Sequence, residues 1–182
     1  IERRARNYSP GDTDLTWTRL TPWRALLASA LDSYPAKITG ASVEAGPNNA
    51  ASMLLAAWLE DRLKVQVESS EGGKGIGITN VTLHTSKGDI VIAREDGRMA
   101  TFSAPGLPRR QVALRRREVN ALITEELRRL DVDDIFASAM QVLVGRCERR
   151  DAEKAKQTCT IRVCGSPGPR TSPSRRRPCW SP

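Results

Sequence analysis

One histidine and four cysteines are the side chains from which nucleophilic, acid–base or soft-metal chemistry would most readily be built, and their spacing assembles no site. His84 lies in an alternating, strand-like stretch with no nearby Ser, Cys or paired carboxylate to mark it as a catalytic base. A lone histidine in a strand reads as structural or solvent-facing. Cys147, Cys159, Cys164 and Cys179 have eleven, four and fourteen residues between successive members, with no CxxC pair and no neighbouring His. Zinc modules bring close ligand pairs, so free, exposed thiols are the expectation, with no metal and no cofactor implied. Residues 71–77, EGGKGIG, resemble a phosphate cradle, but a strand follows where a phosphate loop needs a helix, and the Ser or Thr after Lys is missing. A flexible inter-strand loop is the better reading. Asp131, Asp133 and Asp134 lack the downstream Gly and Glu of a calcium loop and suit helix capping. No catalytic residue is assigned.

Two clusters have the residue types that bind rather than react. Arg115, Arg116 and Arg117, with Arg109 and Arg110 nearby, form the best basic cluster outside the C-terminal tail, soon offset by Glu118, Glu125 and Glu126. With aromatics at only 4% and no nucleic-acid motif, a solvated or partner-facing patch is favoured over specific nucleic-acid binding. The alternative is a basic nucleic-acid-associated protein working through Arg115 to Arg117 and the tail. Its signature is binding that weakens steeply with salt and vanishes when residues 146–182 are removed. The second cluster is residues 12–24, DTDLTWTRLTPWR, which carry two Trp and two Arg beside paired Asp. Trp17 and Trp23 are either core anchors, with Asp14 pairing Arg19 or Arg24, or part of a partner-binding surface formed by Trp17, Arg19, Trp23 and Arg24. Aromatic and Arg side chains dominate interfaces because they bury large areas in fixed orientations.

The elements that position these residues follow from periodicity. Residues 7–19 read as a polar connection. Thr21 and Pro22 then read as the N-cap and first turn of a helix with Leu20, Trp23, Leu27 and Leu31 on its buried face, ending before Pro35. Residues 37–45 suit a strand. A second helix, capped by Asn48 and Asn49, places Ala51, Leu54, Leu55, Trp58 and Leu59 on one face that must pack on a sheet. Val65 and Val67 begin a short strand. The alternation of Ile76, Ile78, Val81 and Leu83 changes near Asn80, as a bulge requires. A turn at 86–89 leads into a strand at 90–93, Asp96-Gly97 marks a hairpin between Val91 and Phe102, and residues 111–114 supply a further strand after a loop at 105–108. Two helices follow, one with Val119, Leu122, Ile123, Leu127 and Leu130 inward, the other with Ile135, Phe136, Ala139, Met140 and Leu143 inward. The expected fold class is α+β: a mainly antiparallel sheet, a meander of hairpins, with helices packed on it, most simply on one face.

Composition divides the chain near Gly145. Of the net charge of +8, residues 146–182 carry ten Lys and Arg against three Asp and Glu, whereas residues 1–145 are almost balanced. All four cysteines and five of the eleven prolines also lie in that tail, which has no Leu, Phe or Tyr. Such a segment buries too little apolar surface to offset chain entropy, so a disordered basic tail is expected, ordered at most in a first helical turn. No apolar run approaches the ~20 residues of a membrane-spanning helix. The charged start at Glu2, Arg3, Arg4 and Arg6 lacks the apolar segment of a secretory signal, and a first residue other than Met suggests a fragment or processed product.

Residues 11–32, GDTDLTWTRLTPWRALLASALD, resemble the signature of the glucose-6-phosphate dehydrogenase assembly protein (OpcA) family, in its carboxy-terminal part and of the actinobacterial type. YPAKITGASVEA, LLAAWLEDRLKV, EDGRMATFSAPG and ITEELRRLDVDDIFASAM follow in the family's order, so the resemblance runs from about Arg6 to Leu143. It implies a cytoplasmic protein of the oxidative pentose phosphate pathway that assembles or allosterically activates glucose-6-phosphate dehydrogenase without an active site of its own. It also implies a division into residues 1–19, the trailing edge or linker of a missing amino-terminal domain; residues 20–145, the carboxy-terminal domain; and residues 146–182, the tail. The family ends soon after the last helix, and the abrupt change to Arg, Pro, Ser and Cys is what out-of-frame translation of GC-rich DNA would produce. Sequencing of the coding region tests this: an intact, continuous frame shared by related genes would sink the frameshift reading.

Overall fold

A computed structural model describes residues 1–72, 77–94, 96–128 and 131–164, with side chains as far as residue 156. By its contacts the chain divides into a first unit, Ile1–Cys147, and a second that begins at Glu148. The described residues form five helices and six strands: α1 (Glu2–Arg6), α2 (Leu15–Ser33), β1 (Ile38–Ala45), α3 (Ala50–Leu63), β2 (Val67–Glu71), β3 (Ile78–Thr85), β4 (Ile90–Ala93), β5 (Met99–Ser103), β6 (Arg110–Ala113), α4 (Val119–Glu126) and α5 (Asp134–Cys164).

The strands make one sheet in the order β2-β1-β3-β4-β5-β6. From β1 through β3 to β6 every neighbour is antiparallel, as the hairpin signals require. The β1–β2 pair departs from the expected meander: it is parallel, because α3 carries the chain back before β2 starts. Alternation decides which side is buried. Val43, Val81, Ile92 and Phe102 stand in register across four strands, and Ala41, Leu83 and Ile90 form a second buried row. Ser42, Thr82 and Val91 occupy the intervening positions, which face the other way. The change of alternation expected near Asn80 is a bulge: Glu44 pairs with Asn80 and Ala45 with Ile78, leaving Thr79 between them. Thr79 fixes it by donating its hydroxyl to the Glu44 carbonyl at 3.1 Å and accepting the Arg94 N–H at 2.7 Å.

The Asp96-Gly97 hairpin forms as expected. Gly97 has φ of 74°, and the Asp96 carboxylate accepts the N–H groups of Arg98 and Met99, both at 2.8 Å, which hold it below the usual carboxylate range. Helix α3 begins at its expected cap, with Asn49 accepting the Ser52 N–H at 3.1 Å. Leu54, Leu55 and Leu59 are fully buried, and so are Ala56 and Ala57, because the helix is covered by the sheet on one side and by α2 on another.

Four expectations are corrected. Helix α2 starts at Leu15, so residues 15–19 are not loop and Pro22 lies inside the helix rather than at its first turn. A proline inside a helix forfeits one hydrogen bond and costs about 3 kcal/mol; burial of Trp17, Leu20, Trp23, Leu27 and Ala30 on both sides of it keeps the helix continuous. On α4 only Leu122 is buried, whereas Val119, Ile123 and Leu127 are 53%, 43% and 69% exposed, and Ile135 of α5 is 40% exposed. The helical spacing is present, but the eight-residue helix packs against α2 through one buried residue; Leu130 lies outside the described residues. Cys147 is buried, not exposed. Finally, α5 continues to Cys164, past Gly145, where disorder was expected after a first turn. Residues 148–157, ERRDAEKAKQ, are almost all strong helix formers, and intrinsic propensity extends a helix already started on Phe136, Ala139, Met140 and Leu143. Residues 165–182, with Cys179, lie outside the described residues, as does most of the glycine loop at 73–76.

Residues 1–14 are packed into the first unit. Ala5 is in the core, and Arg4 reaches Asp14 at 2.6 Å. Asp14 is the N-cap of α2: one carboxylate oxygen accepts the Thr16 N–H at 2.7 Å while the other takes the Arg4 guanidinium. Burial pushes the Asp14 carboxyl up, but the bonds from Thr16 and Arg4 outweigh it and the net displacement is downward. A carboxylate with a lowered folded pKa stabilises the fold fully above its unfolded value, about 3.9, and loses that contribution as pH falls through the folded value. Asp14→Ala should therefore cost about 1–2 kcal/mol at neutral pH. In urea denaturation series the gap from wild type should narrow as pH drops toward about 2. A gap independent of pH would show that the charge of Asp14 plays no part.

Candidate functional site

The four residues singled out around the first tryptophan all lie on α2, but they do not share one surface. Trp17 and Trp23 are each 3% exposed and belong to the core. Arg19 and Arg24 are half-buried. The indole N–H of Trp17 donates to the Asp133 carboxylate at 2.8 Å, and the other oxygen of that carboxylate accepts the Phe136 N–H at 2.9 Å, capping α5. Asp133 thus performs the capping expected of the acidic run while tying α2 to α5. The Trp17 ring also packs against Phe136, centroids 5.3 Å apart, and Phe136 receives Tyr8 edge-on at 5.5 Å. The Arg24 guanidinium lies 3.8 Å above the Trp17 ring, a cation–π contact, and bonds Thr21 at 3.2 Å. The expected partner of Arg19 or Arg24, Asp14, is instead bound to Arg4.

On the same helix, Thr18 donates to the Glu126 carboxylate, which also accepts the Thr13 hydroxyl, so α4 is held against the start of α2 by Glu126 and by the buried Leu122. That attachment leaves Val119, Ile123 and Leu127, at four-residue steps, turned to water.

Arg19 and Trp23 face a cleft of about 250 Å³ between the start of α2, the first turn of α3 and the strand ends beside Ile78 and Leu114. Among the described residues four arginines line it, Arg19, Arg94, Arg115 and Arg116, and no Asp or Glu does. Arg94 is 7% exposed; its two terminal nitrogens donate to the carbonyls of Leu114 and Ile78 at 3.2 and 2.9 Å, and its guanidinium sits 5.1 Å from the Trp23 ring centre. The Nε atoms of both Arg94 and Arg19 are enclosed with no hydrogen-bond partner among the described residues. Burial pulls both guanidinium pKa values down, and the Arg116 charge pulls them further, against weak opposition from Asp96 at Arg94 and from Glu118 at Arg19. The basic run 115–117 is therefore divided: Arg115 and Arg116 border the cleft, while Arg117 is paired with Glu125 of α4. Sequence reading passes over Arg94, which follows an ordinary apolar strand; nothing in its neighbours announces burial. The His84 ring nitrogen lies 3.1 Å from the Asp89 carboxylate, and both side chains are half-exposed.

Fold and site together define an α+β domain with an arginine-lined cleft on one part of its surface and a water-facing apolar helix on another. The model of the OpcA family, described as the carboxy-terminal domain of a glucose-6-phosphate dehydrogenase subunit, matches residues 10–140, and the chain belongs to that family. No curated protein matches the chain significantly.

The Trp17 contacts give a stability prediction. Trp17→Ala should cost about 3–5 kcal/mol in chemical denaturation, as expected for a large buried aromatic. Trp17→Phe keeps most of the packing but leaves Asp133 one donor short, and should cost about 1–3 kcal/mol. A Trp17→Ala protein as stable as wild type would remove Trp17 from the core.

Proposed function

We propose that this chain is a non-catalytic partner of glucose-6-phosphate dehydrogenase, promoting its assembly or activating it allosterically in the oxidative pentose phosphate pathway of the cytoplasm. The observation that carries the reading is the family match across residues 10–140, which associates the domain with that enzyme. No helix among the described residues is long and apolar enough to cross a membrane.

The contact surface proposed is the exposed face of α4, Val119, Ile123 and Leu127, extended by the half-exposed Arg19 and Arg24 of α2. Apolar side chains held in water by a docked helix gain free energy when a partner covers them, at roughly 25 cal/mol per Å² of apolar area. Trp17 and Trp23, the other two residues proposed for partner binding, then act from within: Trp17 supports the Arg24 guanidinium from below, and Trp23 sits behind the cleft.

The test is dehydrogenase activity and oligomer size, measured on the enzyme of the source organism with and without this chain. Activation or a larger assembly is expected. The double variant Ile123→Asp with Leu127→Asp should leave the chain folded and weaken its association about tenfold or more. No activation and no assembly by folded wild-type chain would sink the partner reading; wild-type association by the double variant would move the contact away from α4.

A further inference from the structure

We propose that the cleft bounded by Arg19, Arg94 and Arg116 is a binding site for a small phosphorylated molecule, taken by its phosphate monoester group. Like charges do not gather at no cost. Arg94 is nine-tenths buried, its hydrogen bonds end on neutral carbonyls, and among the described residues it has no carboxylate partner. Arg19 likewise has no ion pair there, and Arg116 stands close enough to lower both neighbours' pKa values by its charge. Guanidinium groups stay protonated at neutral pH, so the cleft is cationic as it stands. A bound anion relieves that repulsion and offers acceptors to the guanidinium groups that border the cleft.

Three features favour phosphate over a single carboxylate. The charge asks for a dianion, since among the described residues four arginines line the space and no acidic residue does. Arginine's fork matches two oxygens of a phosphate at once. The first turn of α3 also borders the cleft, adding the partial positive charge of a helix start. Gly77 keeps the passage open at the Arg94 end: it has φ of 100°, and a Cβ there would come within 3.3 Å of an Arg94 terminal nitrogen. The volume, about 250 Å³, accommodates more than the phosphate, and the indole of Trp23 with Pro22 and Leu20 offers an apolar wall to the remainder of the ligand.

This inference does not rest on the proposed partner, and its test requires no enzyme. Inorganic phosphate and a hexose phosphate are titrated into the full chain by calorimetry at constant ionic strength, with acetate and chloride as comparison anions. Saturable binding of both phosphates with a dissociation constant below about 1 mM, tighter than acetate, is expected. Arg19→Gln and Arg116→Gln, each checked for wild-type circular dichroism, should weaken phosphate binding about tenfold. Arg110→Gln, an exposed arginine that does not line the cleft, should leave it unchanged. Absence of saturable phosphate binding to folded wild-type chain, unchanged binding in both cleft variants, or acetate binding as tight as phosphate would each overturn the assignment.

Discussion

The need to bury Trp17 while keeping its indole N–H bonded governs how the helices of the first unit come together. A tryptophan ring can leave water only where packing surrounds it and an acceptor waits for the nitrogen. Here the packing comes from Phe136, the acceptor is Asp133, and a cation covers the ring from Arg24. Because Asp133 also caps α5, one carboxylate serves the ring of one helix and the start of another. The start of α2 is fixed in turn by Asp14 and Arg4, so the segment before α2 is drawn into the same core. Once α2 is held at this end, its other apolar residues meet α3, and Thr18 receives α4 through Glu126.

That arrangement also explains why the domain presents such different surfaces. Leu122 and Glu126 suffice to anchor α4, so a short helix stays docked with most of its apolar face in water. On the neighbouring flank the chain ends of several elements meet at a cleft, and arginines from positions 19, 94 and 116 arrive there from a helix, a strand end and a connecting segment. Arg146 shows the contrast. It is half-buried, but it pairs with Glu60 at 3.0 Å and bonds the carbonyl of Val67, a charge balanced within the fold. Where Arg146 has a carboxylate, the buried Arg94 of the cleft has only carbonyls.

The features legible in the residues alone are those set by local physics. The period of Leu54, Leu55 and Leu59 made α3, Asn49 capped it, Asp96-Gly97 turned the hairpin, and the break in alternation near Asn80 became the Thr79 bulge. Each depends on residues adjacent in the chain, whose conformational preferences need no distant partner. Where two local signals compete, sequence reading chooses wrongly: Thr21-Pro22 resembles a helix start more strongly than Asp14, and only the burial of Trp17 and Leu20 shows that the helix is already under way. Which half of a cluster is core and which is surface depends on long-range packing. Trp17 and Arg19 are two residues apart on one helix, yet one is buried and the other borders a cleft, because exposure depends on what packs from elsewhere. The same holds for Arg94 and Arg116, more than twenty positions apart and brought near each other only by the fold. Coulomb interactions depend on distance in space, and a linear sequence does not contain that distance.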